Sequence, residues 1–156
     1  MSNNVPSEFL KAHAKVMLGY STVFTINIGI QFAIKMNLLK SFKAHKAKLA
    51  AEGKDVSDLR YNRYADVKLI VADRIVGNFI EWAPIFMTLF GTNVALGNDV
   101  AALGWSYVAL RFLYPFFAFA GGITEAGANP RIFGATMPMY GILLLLGKRI
   151  NEVVFN

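Results

Sequence analysis

Arg74, Asn78 and Glu81 set a guanidinium, a carboxamide and a carboxylate into RIVGNFIEWAPIF, a stretch otherwise apolar enough to cross a membrane. Hydrocarbon tolerates such groups only where they line a cavity or find partners, so they mark a functional site by default. At about 100° per residue, positions i, i+4 and i+7 fall on one helical stripe and face the same way. A second row stands at Tyr107, Arg111 and Tyr114 with the same spacing, and Pro115 beside it can bend its helix. Glu81 alone does not neutralise Arg74, Arg111 and Arg131, and Asp73 lies about 100° off the stripe. Excess positive charge in a helix-lined pocket invites an anionic ligand.

The elements that must hold these rows are membrane helices. Hydrophobic residues make up 55% of the 156-residue chain and the mean hydropathy is +0.42, well above an ordinary soluble domain. Four apolar segments, at about 16–36, 67–92, 100–120 and 131–147, fit the ~20 residues that a ~30 Å hydrocarbon layer demands. The first lacks a cleavage site of small residues and reads as a retained helix. The expected architecture is a single all-α, four-helix transmembrane domain over 1–156, with a basic loop at about 37–66. Within that loop KAHKAKLAAE favours helix and Gly53 is the expected break.

Charge sets the expected topology. Four spans put both termini on one side with Lys11, Lys15, Lys148 and Arg149; the other side carries Lys40, Lys43, Lys46, Lys48, Lys54, Arg60, Arg63, Lys68 and Arg131. Nine basic residues against four place the long loop in the cytosol. Arg74, Arg111, Tyr114 and Arg131 then share one half of the bilayer. The net charge of +6 is read as this anchor rather than as a nucleic-acid surface, since no reading module surrounds it. With no Cys, disulfides, cysteine metal sites and a cysteine nucleophile are excluded. His13 and His45 fall in segments that read as tail or loop, as solvated residues rather than metal ligands.

Arg74, Asn78, Glu81 and Pro84, followed after a short turn by a helix bearing Arg111 and Tyr114, resemble the membrane-associated proteins in eicosanoid and glutathione metabolism, the MAPEG family. The resemblance, closest to the microsomal glutathione transferases, covers nearly the whole chain in helix and loop placement. It implies a homotrimer with glutathione at each subunit interface near the cytosolic face. By the same resemblance Arg74, Asn78 and Glu81 would contact glutathione, Glu81 through its amino group and Arg74 through a carboxylate. Arg111 and Tyr114 would complete the polar wall, and Arg131, in NPRIF, would stabilise the thiolate as the catalytic residue. The endoplasmic reticulum is the implied membrane, with the mitochondrial outer membrane or another organelle membrane as the alternative.

Two departures bear on activity. Several family members carry a tyrosine seven residues after the third-helix arginine, where this chain has Ala118, and Glu125 in the GGITEAGANP connection is placed to pair with Arg131. Lys35 is either a further carboxylate contact or a snorkelling anchor. The expected function is therefore a membrane glutathione transferase or peroxidase acting on lipophilic electrophiles or lipid hydroperoxides. The alternative is a non-catalytic relative that binds lipid or serves as a subunit of a larger membrane complex. A channel or transporter is disfavoured because one polar cluster does not trace a path across the bilayer.

Overall fold

The computed structural model describes residues 6–62, 65–124, 127–128 and 130–155. Helix α1, Ser7–Ala51, is 45 residues long. At 1.5 Å per residue that is about 68 Å, more than twice the hydrocarbon thickness. The sequence reading ended this helix near residue 36 and gave 37–66 to a loop; the helix instead continues to Ala51. Ala, Lys, Leu and Glu sustain it until Gly53, whose φ of +74° ends the run. The chain then folds back along the helix: Phe42 meets the Tyr61 ring at 5.6 Å, and Lys46 Nζ donates to the Leu59 carbonyl at 3.2 Å. In this return Asp55 accepts from the Ser57 backbone N–H, which holds its carboxyl below the usual carboxylate range.

Asp66 opens α2, Val67–Ala95, by accepting from the Leu69 N–H. After a turn through Gly97 (φ +77°), α3 spans Ala101–Phe117 and then widens into a π-helical turn, Ala118–Gly122, where Gly121 sits at φ +88°. Residues Ile123–Thr124 and Gly127–Ala128 pair as a minimal antiparallel hairpin, with Ile123 opposite Ala128. A 3-10 turn, Pro130–Ile132, leads into α4, Phe133–Val154. Arg63 and Glu125, and hence the pairing foreseen for Glu125, lie outside the described residues.

Three of the helical segments, Ser7–Ala51, Val67–Ala95 and Pro130–Val154, are long and apolar enough to cross a membrane. Their outer faces carry exposed Leu18, Phe32, Ile80 and Leu144. The molecule is an all-α integral membrane bundle. Helix α1 packs on α2 and α3, and α4 closes against both of those. Phe86 and Tyr107 stack at 4.2 Å and 5° between α2 and α3, with Tyr20 of α1 at 4.8 Å from Phe86. Gly104 makes the close approach possible, since a Cβ there would lie 2.5 Å from Phe90 and 2.6 Å from Val16.

The end of the bundle that carries the termini is closed by polar side chains. Buried Asn93 donates through Nδ2 to the carbonyls of Leu89 (2.8 Å) and Leu146 (3.0 Å), tying α2 to α4. His13 is not the solvated tail residue the sequence suggested. It is buried in α1, directs Nδ1 at the Phe9 carbonyl (2.8 Å), and accepts the Val100 N–H at Nε2 (3.2 Å), satisfying an orphan donor at the start of α3.

Candidate functional site

At the opposite end, where α2 begins, α3 ends and α4 begins, the helices leave a cleft of about 580 Å³. Its α2 wall carries Arg74, Asn78 and Glu81, so the stripe read from the spacing does face a single space. Tyr114 of α3 lines it from behind, nearly buried, and Ile123 of the hairpin adds an apolar patch. Facing them, Ile132 of the 3-10 turn and Thr136 and Tyr140 of α4 follow one another at i, i+4 and i+8, together with Phe133. Tyr140 is positioned by its contact with the Trp82 indole across the α2–α4 boundary, at 4.6 Å. Thr136 donates its hydroxyl to the Ile132 carbonyl, which leaves its oxygen as an acceptor.

Arg111 lies deeper than the sequence suggested. Only 2% exposed, it does not line the cleft but fills the space between α2 and α3. Its Nη1 donates to Asn78 Oδ1 at 2.7 Å, while Nε and Nη2 reach the Tyr107 hydroxyl at 3.2 and 2.8 Å. The guanidinium carbon sits 5.2 Å from the ring centroids of both Phe79 and Tyr107, sandwiched by aromatic faces. With Oδ1 committed to a cation, Asn78 has only its NH₂ to offer a ligand. Arg111 is thus a positioning residue for Asn78.

Arg131 is also displaced from its expected place. Exposed on the 3-10 turn, it donates from Nη1 to the Ala120 carbonyl at 3.0 Å, bracing the π turn, while its neighbours Ile132 and Phe133 line the cleft in its stead. Ala118 is fully buried where α3 passes into that turn, so the position of the absent tyrosine is packed with backbone and neighbours.

Asp73 lines the cleft although it lies off the stripe, because a helix wall spans more than one row of side chains. Its Oδ1 accepts from Gln31 Nε2 of α1 at 2.7 Å. Asp73 thus adds a second carboxylate to the count made from sequence: Asp73 and Glu81 stand with Arg74 and the Arg111 behind it. Charges of both signs in one wall suit a zwitterion better than a plain anion. The residues that sequence reasoning missed, Asp73, Thr136 and Tyr140, needed the pairing of α2 with α4. The i, i+4 spacing of the last two was the available signal.

Compared with known proteins, residues 20–150 match the family model described as the MAPEG family. No curated protein and no solved structure matches.

Proposed function

The chain belongs to the MAPEG family, and we propose that it is a membrane glutathione transferase or peroxidase whose cleft holds glutathione. The observation that carries this reading is the convergence of Arg74, Asn78, Glu81 and Tyr114 on one cleft of about 580 Å³, a size within the range of small-molecule sites. Glutathione carries an ammonium, two carboxylates and a thiol. Glu81 takes the ammonium, Arg74 pairs with a carboxylate, and the oriented NH₂ of Asn78 donates to a second acceptor. Tyr114 and Tyr140 supply hydroxyls toward the thiol end.

An unperturbed thiol has a pKa of about 8.5, so reaction at neutral pH needs the thiolate stabilised. Arg131 serves this by exchanging the Ala120 carbonyl for the sulfur. The thiolate then forms a bond to the electrophilic carbon of a lipophile as the leaving group departs with the electron pair. Binding both reactants in one cleft supplies the proximity. The assembly is a homotrimer in the endoplasmic reticulum membrane, with the α1–α2 loop in the cytosol and the cleft at a subunit boundary.

An ultraviolet difference spectrum of purified protein titrated with glutathione at neutral pH tests the core of the proposal. A saturable thiolate absorbance that disappears in Arg131→Ala is expected. Absence of both the absorbance and glutathione binding would overturn it. A second reading, a non-catalytic lipid-binding relative, is favoured by the engagement of Arg131 with Ala120 and by the buried Ala118. It predicts no thiolate signal at all.

A further inference from the structure

Of the two histidines, His13 is buried, at 3% exposed, and no step of the glutathione reading uses it. Its surroundings fix which nitrogen carries the proton. The Phe9 carbonyl 2.8 Å from Nδ1 can only accept, so Nδ1 is the protonated atom. Nε2 is left as a lone pair, and the Val100 N–H points at it from 3.2 Å. This bond joins α1 to the start of α3 only while the ring is neutral.

A second proton can go only to Nε2, where it would confront the Val100 N–H donor to donor. One acceptor stands within reach: Asp99 Oδ1, 3.7 Å from Nε2, on a side chain that is 80% exposed and able to turn. That same oxygen accepts the Ala101 N–H at 3.3 Å. Turning it to the imidazolium therefore withdraws acceptors from two consecutive donors at the head of α3, Val100 and Ala101. Val100 is 1% exposed, so water does not readily take the place of the ring.

No other carboxylate lies within 4 Å of the ring nitrogens among the described residues. On α1, Lys11 and Lys15 stand two residues to either side, about 200° round the helix, and Lys11 pairs with Glu8 at 2.8 Å. The rings that meet the imidazole are apolar: Phe9 at 4.2 Å and Phe90 of α2 at 5.6 Å. At the end of α4, Lys148 and Arg149 face Glu152 at 3.7 and 3.9 Å. Asp99 is the group that answers a charge on His13.

We propose that His13 is a pH-operated latch. Neutral, it holds α3 to α1 through Val100; protonated, it passes to Asp99 and uncaps the first turn of α3. Imidazole is the side chain whose charge changes between pH 5 and 8. The latch lies at the end of the bundle opposite the cleft, so it senses the compartment across the membrane from that site and stands apart from the glutathione reading.

Hydrogen–deuterium exchange of the full chain in phosphatidylcholine nanodiscs, read by mass spectrometry and corrected for the intrinsic pH dependence of amide exchange, tests the latch. From pH 8 to pH 5, peptides covering 97–104 are expected to lose protection by roughly five- to ten-fold, the worth of one hydrogen bond, while α2 peptides do not change. His13→Phe, which keeps an aromatic ring between Phe9 and Phe90, should show the weak protection at both pH values. Asp99→Asn, at an exposed position, removes the charge that receives the imidazolium, so release should need a lower pH. Equal protection of 97–104 at pH 5 and pH 8 in wild type would overturn the proposal, as would a loss shared by α2. A pH response that persists in His13→Phe, or an Asp99→Asn midpoint equal to that of wild type, would do the same. Should His13→Phe fail to fold, the wild-type profile and the Asp99→Asn midpoint still decide.

Discussion

Arg111 Nη1 and Asn78 Oδ1 meet at 2.7 Å, joining the interior of α3 to the cleft-facing wall of α2. The bond settles which end of the Asn78 amide faces the cleft, so on the proposed function the buried cation would act on a ligand it does not touch. Arg111→Met is expected to weaken glutathione binding about ten-fold by freeing that amide to rotate. It should also lower stability by roughly 2 kcal/mol, since the Tyr107 hydroxyl and Asn78 oxygen lose their donors. Lysine, a single point charge, would not restore the fork. Calorimetric titration of both variants decides this; unchanged affinity in Arg111→Met would remove the positioning role.

For Arg131 the informative readout is a pH profile. Stabilising the thiolate lowers the bound thiol's pKa, so the thiolate absorbance persists below the free-thiol midpoint. In Arg131→Ala that midpoint should rise toward about 8.5, with glutathione affinity changed less than about three-fold because the binding groups remain. Should the midpoint stay put, and rise instead in Tyr140→Phe, the hydroxyl on α4 holds the sulfur and Arg131 only braces the π turn.

At the far end of the bundle, Asn93→Leu removes both donations from Nδ2 to the Leu89 and Leu146 carbonyls. A loss of about 2 kcal/mol is expected in detergent unfolding. Glutathione binding should be untouched, because these bonds lie at the closed end. Reduced binding at full occupancy of the folded state would show that the two ends are coupled.

Two glycine substitutions should move stability in opposite directions. Gly104→Ala places a methyl against Phe90 and Val16 and is expected to cost about 1–3 kcal/mol. Gly91, also in a helix, has nothing within 4 Å of an added Cβ, and alanine there should stabilise by roughly 0.5–1 kcal/mol. Equal effects at both positions would contradict the packing at Gly104.

What could be read from the chain followed the reach of local rules. The α2 stripe was legible because i, i+4, i+7 is a property of one helix, and the Gly53 break because only glycine takes that backbone shape easily. Arg111 was assigned to the cleft wall since its row also carries Tyr114. Yet a rotation of a few tens of degrees separates lining a cavity from filling the space behind it, and neighbouring helices decide that. His13 sits in a stretch with polar neighbours, and nothing local announces that the first helix starts at Ser7 or that Val100 needs an acceptor. Thr136 and Tyr140 are silent until α4 is known to face α2.

The 45-residue helix α1 has a practical corollary. The Gly53 reversal stands about 24 Å of helix beyond Lys35, on a mast that the bundle does not enclose. An epitope or cleavage sequence grafted between Gly53 and Asp58 would ride clear of the lipid and of every cavity described above. Antibody or protease accessibility of that handle in sealed vesicles would report which compartment the cleft opens toward.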